Sequence, residues 1–228
     1  MEVLSDLKIF PLVITIFAYQ AGLFLQNKTK SALFNPLLIS IAIVIGFILL
    51  TGYSNADYQA GMRYIYWLIT PATICMAVPL YEHLQVLRKD WKAILAGICA
   101  GTLASLLFIL VMCRICGLDE VLTASLLPKS ITTAIGTALS TQSGGDEAIT
   151  TAAIAITGIL GHVLAVPLCK LFKINHPVAQ GVALGTSAHI LGTSKARELS
   201  ELTGAVSSLS LTVAGILTSL LYPLIMVL

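Results

Sequence analysis

Apolar residues in this chain of 228 residues form about eight blocks separated by short polar segments. The blocks cover residues 9–25, 36–51, 62–80, 91–113, 121–140, 148–172, 177–193 and 202–228. A helix rises ~1.5 Å per residue, so roughly 20 residues cross a hydrocarbon layer of ~30 Å. The pattern therefore predicts an all-α, polytopic integral membrane protein in a lipid bilayer.

Proline and glycine interrupt two of these blocks. The third block contains Thr70-Pro71 and Pro79, and the fifth contains Pro128 and Gly136. Lipid satisfies no backbone hydrogen bonds, so a break at membrane depth must be buried in protein or line a cavity. Because proline fits the first turn of a helix, Pro71 and Pro128 predict broken or re-entrant helices that start inside the membrane.

The two interrupted blocks also align with each other and predict an internal repeat. When Pro71 is placed over Pro128, Gly101 falls over Gly158 without a gap. We therefore predict two repeats within one membrane domain, at residues 61–118 and 119–175. Scaffold helices in residues 1–60 precede them, and an interrupted helix and a final span in residues 176–228 follow.

Basic residues near span ends predict the orientation of the repeats, because Lys and Arg in short loops stay cytoplasmic. If the basic loops near residues 28–30, 88–92 and 170–173 are all inside, the fifth block enters and leaves on one side and the repeats are inverted. Inverted repeats with broken helices are typical of secondary transporters. In the competing topology the fifth block crosses fully and Lys170 and Lys173 lie outside.

Composition excludes several classes of protein. Hydrophobic residues make up 57% of the chain and charged residues 11%, against ~45–50% and ~25% in soluble domains. A formal net charge of +2 without a basic stripe excludes nucleic acid as a partner. The Cys113/Cys116 pair has no second Cys or His pair to complete a metal site. Phosphate-loop, Rossmann and Ser/His/Asp signatures are absent, so we expect no enzyme and no cofactor.

Lys129 is the most informative charged residue. A charge at membrane depth costs at least ~2.5–3.5 kcal/mol and is kept mainly for function or pairing, and helix N-termini favour anions. Two facing helix starts beside a lysine therefore predict a site for a small carboxylate. Its predicted residues are Thr70, Pro71, Ala72, Thr73, Pro128, Lys129, Ser130, Thr132 and Thr133. The alternative is that Lys129 snorkels to an interface or pairs with a distant carboxylate.

The seventh block is too interrupted for a plain span and is predicted to line the same cavity. It places His189 between Gly185 and Gly192, with Thr193 following. A histidine of ordinary pKa, ~6.5, changes charge near neutrality and is a candidate proton sensor. A structural role for His189 is the alternative, and we treat His162 as a packing residue.

Two segments carry a family resemblance: LLPKSITTAIGTALSTQSGG at 126–145 and GTSAHILGTSKARELSELTGA at 185–205. They strongly resemble the CidB/LrgB family of bacterial membrane proteins, and AVPLY at 77–81 extends the likeness. This chain has Ala134, Ala188 and Lys195 where the family commonly has proline, serine and arginine.

The resemblance implies two functions. One is holin- or antiholin-like regulation of murein hydrolases and autolysis, and the other is transport of small carboxylates such as pyruvate, glycolate or glycerate. It also implies a bacterial cytoplasmic membrane location and a small CidA/LrgA-type membrane partner. We expect a homo-oligomer and favour a monocarboxylate carrier, because a lesion-former has no evident use for broken helices and a buried lysine. A third hypothesis is a structural subunit in which Lys129 packs against a partner carboxylate.

Overall fold

Helices account for all the regular secondary structure in the residues that the structure describes. The computed structural model describes residues 9–29, 36–75, 77–82 and 84–227. The side chains of residues 69, 70, 72, 73, 77, 79, 80, 84 and 86 lie outside that description. The chain divides into two units, residues 1–75 and 76–228.

The first unit contains four described helices: α1 (Phe10–Thr29), α2 (Pro36–Thr51), α3 (Asn55–Gly61) and α4 (Arg63–Cys75). α1 packs closely on α2, because a Cβ atom added to Gly22 would lie only 2.7 Å from the Pro36 Cα atom. The Thr15 hydroxyl of α1 bonds the Tyr58 hydroxyl of α3 at 2.6 Å. Small residues at a helix contact allow such close approach in membranes.

The second unit contains the remaining described helices. These are α5 (Ala77–Glu82), α6 (Leu84–Lys89), α7 (Trp91–Ile115), α8 (Glu120–Leu126), α9 (Thr133–Gln142), α10 (Glu147–Leu171), α11 (Pro177–Leu199) and α12 (Glu201–Met226). α12 packs against α5, α7, α9 and α11, and α11 also packs against α7 and α10. The core of this unit therefore lies around α11 and α12.

The prediction of an all-α, polytopic membrane protein is confirmed. Among the described residues, four helices are long and apolar enough to cross a membrane: Phe10–Thr29, Trp91–Ile115, Glu147–Leu171 and Glu201–Met226. The shorter helix Pro36–Thr51 is also strongly apolar. Within the second unit, Phe108, Ile216 and Leu220 leave more than half of their surface uncovered, which suits a bilayer better than water.

Glycine sets the spacing of the largest helix contact, that between α11 and α12. A Cβ atom added to Gly181 would lie 2.7 Å from the Thr203 carbonyl oxygen, and one added to Gly185 would meet the Ser207 carbonyl oxygen. The two helices therefore approach until backbone meets backbone. Interhelical hydroxyl bonds add to this contact, as between Thr193 and Ser207 at 2.9 Å.

The predicted helix starts at the two prolines are wrong. Pro71 lies inside α4, which already begins at Arg63. Freed backbone groups at such a proline can be satisfied locally within a membrane protein. Pro128 lies between α8 and α9, and α9 begins only at Thr133, after the N-cap residue Thr132. The break predicted in the fifth block is present, but its second helix starts five residues later than predicted.

Candidate functional site

A six-residue break separates α8 from α9 and carries Lys129. α8 begins at an Asp119 cap whose side chain accepts a hydrogen bond from the Leu122 N–H at 2.7 Å. It ends at Leu126, whose carbonyl accepts the Lys129 N–H at 3.2 Å in a tight turn. Pro128 and Ser130 are buried and Lys129 is half-buried. The backbone of the break is therefore enclosed by protein, as irregular structure in a membrane requires.

Contacts from three other helices of the second unit hold the break in place. The Tyr222 hydroxyl of α12 donates to the Ala124 carbonyl at 2.9 Å. The Ser130 hydroxyl bonds the Ser105 hydroxyl of α7 at 3.0 Å. A Cβ atom added to Gly136 in α9 would lie 2.7 Å from the Ile154 Cδ1 atom of α10. These tertiary contacts hold the residues on both sides of Lys129 in place.

A second interruption lies in α11, as the glycine-rich seventh block predicts. Ala188 has φ −131° and ψ 19°, and His189 has φ 43° and ψ −135°, so the helix divides at these two residues. Positive φ is uncommon for a residue other than glycine and usually marks strain or function. The kink leaves residues 190–199 as a second half-helix inside the unit.

Hydrogen bonds stabilise the kink from both sides. The His189 Nε2–H donates to the Ile154 carbonyl of α10 at 2.8 Å. The Thr193 hydroxyl donates to the His189 carbonyl at 3.0 Å and also bonds Ser207 of α12. Gly158 of α10 lies against the imidazole ring, so a larger residue there would displace it. Both His189 and Thr193 are buried.

The two interruptions meet at Ile154. Its carbonyl oxygen accepts the hydrogen bond from His189 at the kink in α11. Its side chain packs against Gly136, which lies just after the break between α8 and α9. Lys129 lies within electrostatic range of His189. The predicted residues Lys129 and His189 are 60 positions apart in the sequence and belong to the two different interruptions.

The other predicted site residues differ in their placement. Thr132 caps α9 without a side-chain hydrogen bond, and Thr133 is exposed in the first turn. Gly192 is buried in α11, with no room for a side chain beside the Leu184 carbonyl. Pro71 is exposed inside α4 of the first unit. The side chains of Thr70, Ala72 and Thr73 lie outside the described residues.

A charged cluster lies near the end of α11. The Lys195 ammonium contacts a Glu198 carboxylate oxygen at 2.6 Å, and the His162 Nε2 atom is 3.9 Å from the other oxygen. The His162 Nδ1–H donates to the Leu191 carbonyl at 3.1 Å. His162 therefore joins α10 to the second half of α11, which agrees with the packing role predicted for it.

Sequence reasoning missed several residues around the site. Ile154 joins the two interruptions, and Thr102, Ser105 and Thr218 line a small cavity beside Ser130. The only sequence signal was the presence of hydroxyl residues in otherwise apolar spans, with Thr102 and Ser105 one helical turn apart. Across the described residues, no three His, Cys, Asp or Glu side chains are grouped to hold a metal ion.

Comparison with known proteins identifies relatives over almost the whole chain. Residues 15–228 match the model of the LrgB-like family. A protein of Bacillus subtilis (strain 168) named "Antiholin-like protein LrgB" is 36% identical over 215 residues, which cover 94% of this chain and 93% of that protein. A protein of the same name from Bacillus cereus (strain B4264) is 34% identical over 218 residues, 95% of each chain. No solved structure matches significantly.

Proposed function

Because the chain belongs to the LrgB-like family, we propose that it is an antiholin-like regulator of murein hydrolase activity and autolysis in the bacterial cytoplasmic membrane. The family match over residues 15–228 carries this proposal, and the names of the Bacillus relatives support it. The proposed regulator acts as a homo-oligomer together with a small CidA/LrgA-type membrane partner. We propose no enzymatic activity for it.

Deleting the gene tests the antiholin-like role. We expect cells that lack the protein to lyse faster than the parent after a detergent challenge, and a plasmid copy to restore the parental rate. Culture turbidity measures the rate of lysis, and zymography measures the activity of murein hydrolases. Equal lysis rates and equal hydrolase activity in all three strains would rule the role out.

A second candidate function, a carrier for a small monocarboxylate such as pyruvate, glycolate or glycerate, is favoured by Lys129. In the part of the chain that the structure describes, the ion pairs involve Glu198, and Lys129 joins neither of them. An ammonium at membrane depth costs at least ~2.5–3.5 kcal/mol, so an unpaired one needs a reason. A substrate carboxylate supplies the missing counter-charge.

The start of α9 supports the same ligand chemistry. Its N-cap residue Thr132 makes no side-chain cap bond, so the first N–H groups of α9 remain available to an anion. Lys129 precedes the N-cap residue Thr132 by three residues and adds a full positive charge. One carboxylate can then be bound by the ammonium and by backbone donors, an arrangement typical of broken helices in secondary transporters.

The two functions are compatible, because altered carboxylate flux across the membrane can change autolysis indirectly. Alternating access in the carrier would move the elements around the two interruptions against neighbouring helices. The kink at His189 and the break at Lys129 provide non-helical backbone at which such a motion can take place.

Reconstitution separates transport from lesion formation. The purified chain is placed in proteoliposomes, with and without its CidA/LrgA-type partner, and uptake of labelled pyruvate, glycolate and glycerate is followed. We expect saturable uptake of at least one of these carboxylates and retention of a large entrapped dye. Dye leakage without saturable uptake would overturn the carrier and indicate a holin-like lesion.

A further inference from the structure

A groove of about 510 Å³ lies between α7 and α11 in the second unit. Its lining residues fall within residues 90–101 and 176–186, and none of them belongs to the break that carries Lys129. Most of the lining side chains are small or aliphatic. Asp90 and His176, the N-cap residues of α7 and α11, are the ionisable groups of the lining.

Two glycines of α7 show that α7 and α11 run in the same direction along the groove. A Cβ atom added to Gly97 would lie 3.1 Å from the Val182 Cγ1 atom. One added to Gly101 would lie 3.2 Å from the Thr186 Oγ1 atom. These contacts advance by four residues along both helices, so the helices are parallel there. The two N-cap residues therefore lie at the same end of the groove, which we call its mouth.

The groove is about one leaflet deep. Its lining residues on α7 run from Asp90 to Gly101, which is about 16 Å at ~1.5 Å per residue and roughly half of a hydrocarbon layer of ~30 Å. Trp91 is exposed at the start of α7, and tryptophan favours the membrane–water interface. Since α7 continues to Ile115, the groove opens at the interface and ends near the middle of the span. A transmembrane helix needs a longer groove, whereas one acyl chain needs only this depth.

Small residues leave the space that an acyl chain would fill. They are Ala93, Gly97 and Gly101 of α7 and Ala179 and Ala183 of α11. Such residues let a chain approach the helix backbone closely and gain dispersion contacts. Apolar contact alone does not select one lipid, because all acyl chains of a bilayer are apolar. Selection must therefore come from the head group at the mouth.

The mouth is rich in basic residues. Residues 88–92 and 170–176, which lead into α7 and α11, contain five Lys or Arg residues and one acidic residue, Asp90. His176 is exposed and makes no side-chain cap bond, so its ring can donate to a phosphate oxygen. Basic residues near span ends stay cytoplasmic, and basic pockets between helices on that side attract anionic head groups. The charge at the mouth therefore complements a phosphate group.

We propose that this groove binds one anionic phospholipid of the cytoplasmic leaflet, with an acyl chain between α7 and α11 and the phosphate at the basic mouth. The deep end of the groove is at Thr186, about one turn before the kink at His189. Thr186 also lines the small cavity beside Ser130. The lipid therefore stabilises the first half of α11 next to both interruptions. The proposal depends on neither of the two proposed functions.

Native mass spectrometry of the purified full-length chain in detergent tests the proposal. The chain is titrated with phosphatidylglycerol, phosphatidylethanolamine or phosphatidylcholine that carry identical acyl chains. We expect saturable binding of one phosphatidylglycerol per chain, and binding of the other two lipids that is weaker by at least about tenfold. Absence of saturable binding would overturn the site. Preferential binding of phosphatidylethanolamine, whose ammonium can pair with Asp90, would overturn the choice of an anionic lipid.

Ala93→Phe tests whether the acyl chain lies in the groove. The added ring occupies the space between α7 and α11, so it should weaken phosphatidylglycerol binding at least about tenfold. Ala96→Phe is the matched control, because Ala96 is an equally exposed class of residue on α7 that does not line the groove. It should bind as the unaltered chain does. Equal binding by both variants would refute the site. Lipid binding that persists in Ala93→Phe while a dimer is lost would assign the groove to a second copy and refute it too.

The double variant Lys89→Gln/Lys173→Gln tests the mouth. We expect it to bind phosphatidylglycerol no better than phosphatidylcholine, whereas Arg114→Gln, at the opposite end of α7, should keep the preference. Thermal unfolding guards against misfolded variants. The unfolding midpoint of the unaltered chain should rise with the logarithm of phosphatidylglycerol concentration, and that of Ala93→Phe should stay flat. An unchanged head-group preference in the double variant would refute the basic mouth.

Discussion

Replacing Lys129 with methionine is expected to weaken saturable carboxylate uptake at least about tenfold while the protein still folds. Lys129 is half-buried and joins no ion pair among the described residues. Methionine keeps most of its length and removes a charge that is costly at membrane depth. The lost charge-assisted bond is worth about 1.5–3 kcal/mol, which is at least about tenfold in affinity. Initial uptake rates in proteoliposomes measure the first effect, and the unfolding midpoint measures the second.

Lys195→Met is the matched control for this variant. Lys195 is a lysine of the same unit that is already paired with Glu198 at 2.6 Å, so its loss should leave uptake near that of the unaltered chain. Normal uptake by Lys129→Met would refute the carboxylate site. Normal substrate binding together with failure to assemble with the CidA/LrgA-type partner would instead favour the hypothesis of a structural subunit.

Replacing Gly185 with alanine is expected to destabilise the second unit. The added methyl group would meet the Ser207 carbonyl oxygen and would lie 2.8 Å from the Ser210 Cβ atom. Backbone atoms cannot rotate away, so α11 and α12 must shift apart at this contact. Overpacking of this kind costs about 1–3 kcal/mol. The measurement is the midpoint of unfolding in mixed micelles with increasing denaturing detergent.

Gly46→Ala serves as the control for the glycine variant. Gly46 lies within α2, and no atom is within 4 Å of a Cβ atom built there. Alanine is the better helix former by about 0.5–1 kcal/mol, so this variant should unfold at the same detergent concentration or a higher one. Equal midpoints for both variants would show that backbone contact at Gly185 does not limit the approach of α11 to α12.

The long spans could be predicted from the sequence nearly to the residue. The blocks at 91–113 and 148–172 correspond to Trp91–Ile115 and Glu147–Leu171. Length and hydropathy are local properties of a segment. The capping of α10 is local too, because the Asp146 side chain accepts hydrogen bonds from the N–H groups of Ala148 and Ile149. A membrane span needs little tertiary information to be recognised.

The ends of the broken helices were less predictable. A proline is accepted in the first turn of a helix, but this preference does not require a helix to start there. Ser130 bonds Ser105, and Gly136 packs on Ile154, and these distant contacts keep the chain irregular up to Thr132. In residues 127–132, tertiary packing therefore outweighs the local preference of proline for the start of a helix.

The sequence named Lys129 and His189 as candidates, but it did not predict how the surrounding residues are arranged. Lys129 and His189 were evident as polar groups in apolar, interrupted blocks. The hydrogen bond from His189 to the Ile154 carbonyl joins residues 35 positions apart, and an aliphatic residue that acts through its backbone carries no signal in its side chain. The cavity beside Thr102 could not be predicted either. Hydroxyl groups in membrane helices usually form hydrogen bonds with carbonyl groups of their own helix, so their presence does not indicate a cavity.

The positive φ of His189 determines where α11 is weakest. A residue held in such a sparsely populated conformation costs about 1–3 kcal/mol, and the bonds that compensate for it come from Ile154 and Thr193. A fluctuation that draws α10 away from α11 removes the Ile154 bond, so local unfolding begins at the middle of this helix rather than at its ends. α11 then behaves as two cooperative segments that reorient about one peptide, instead of as a single rigid rod.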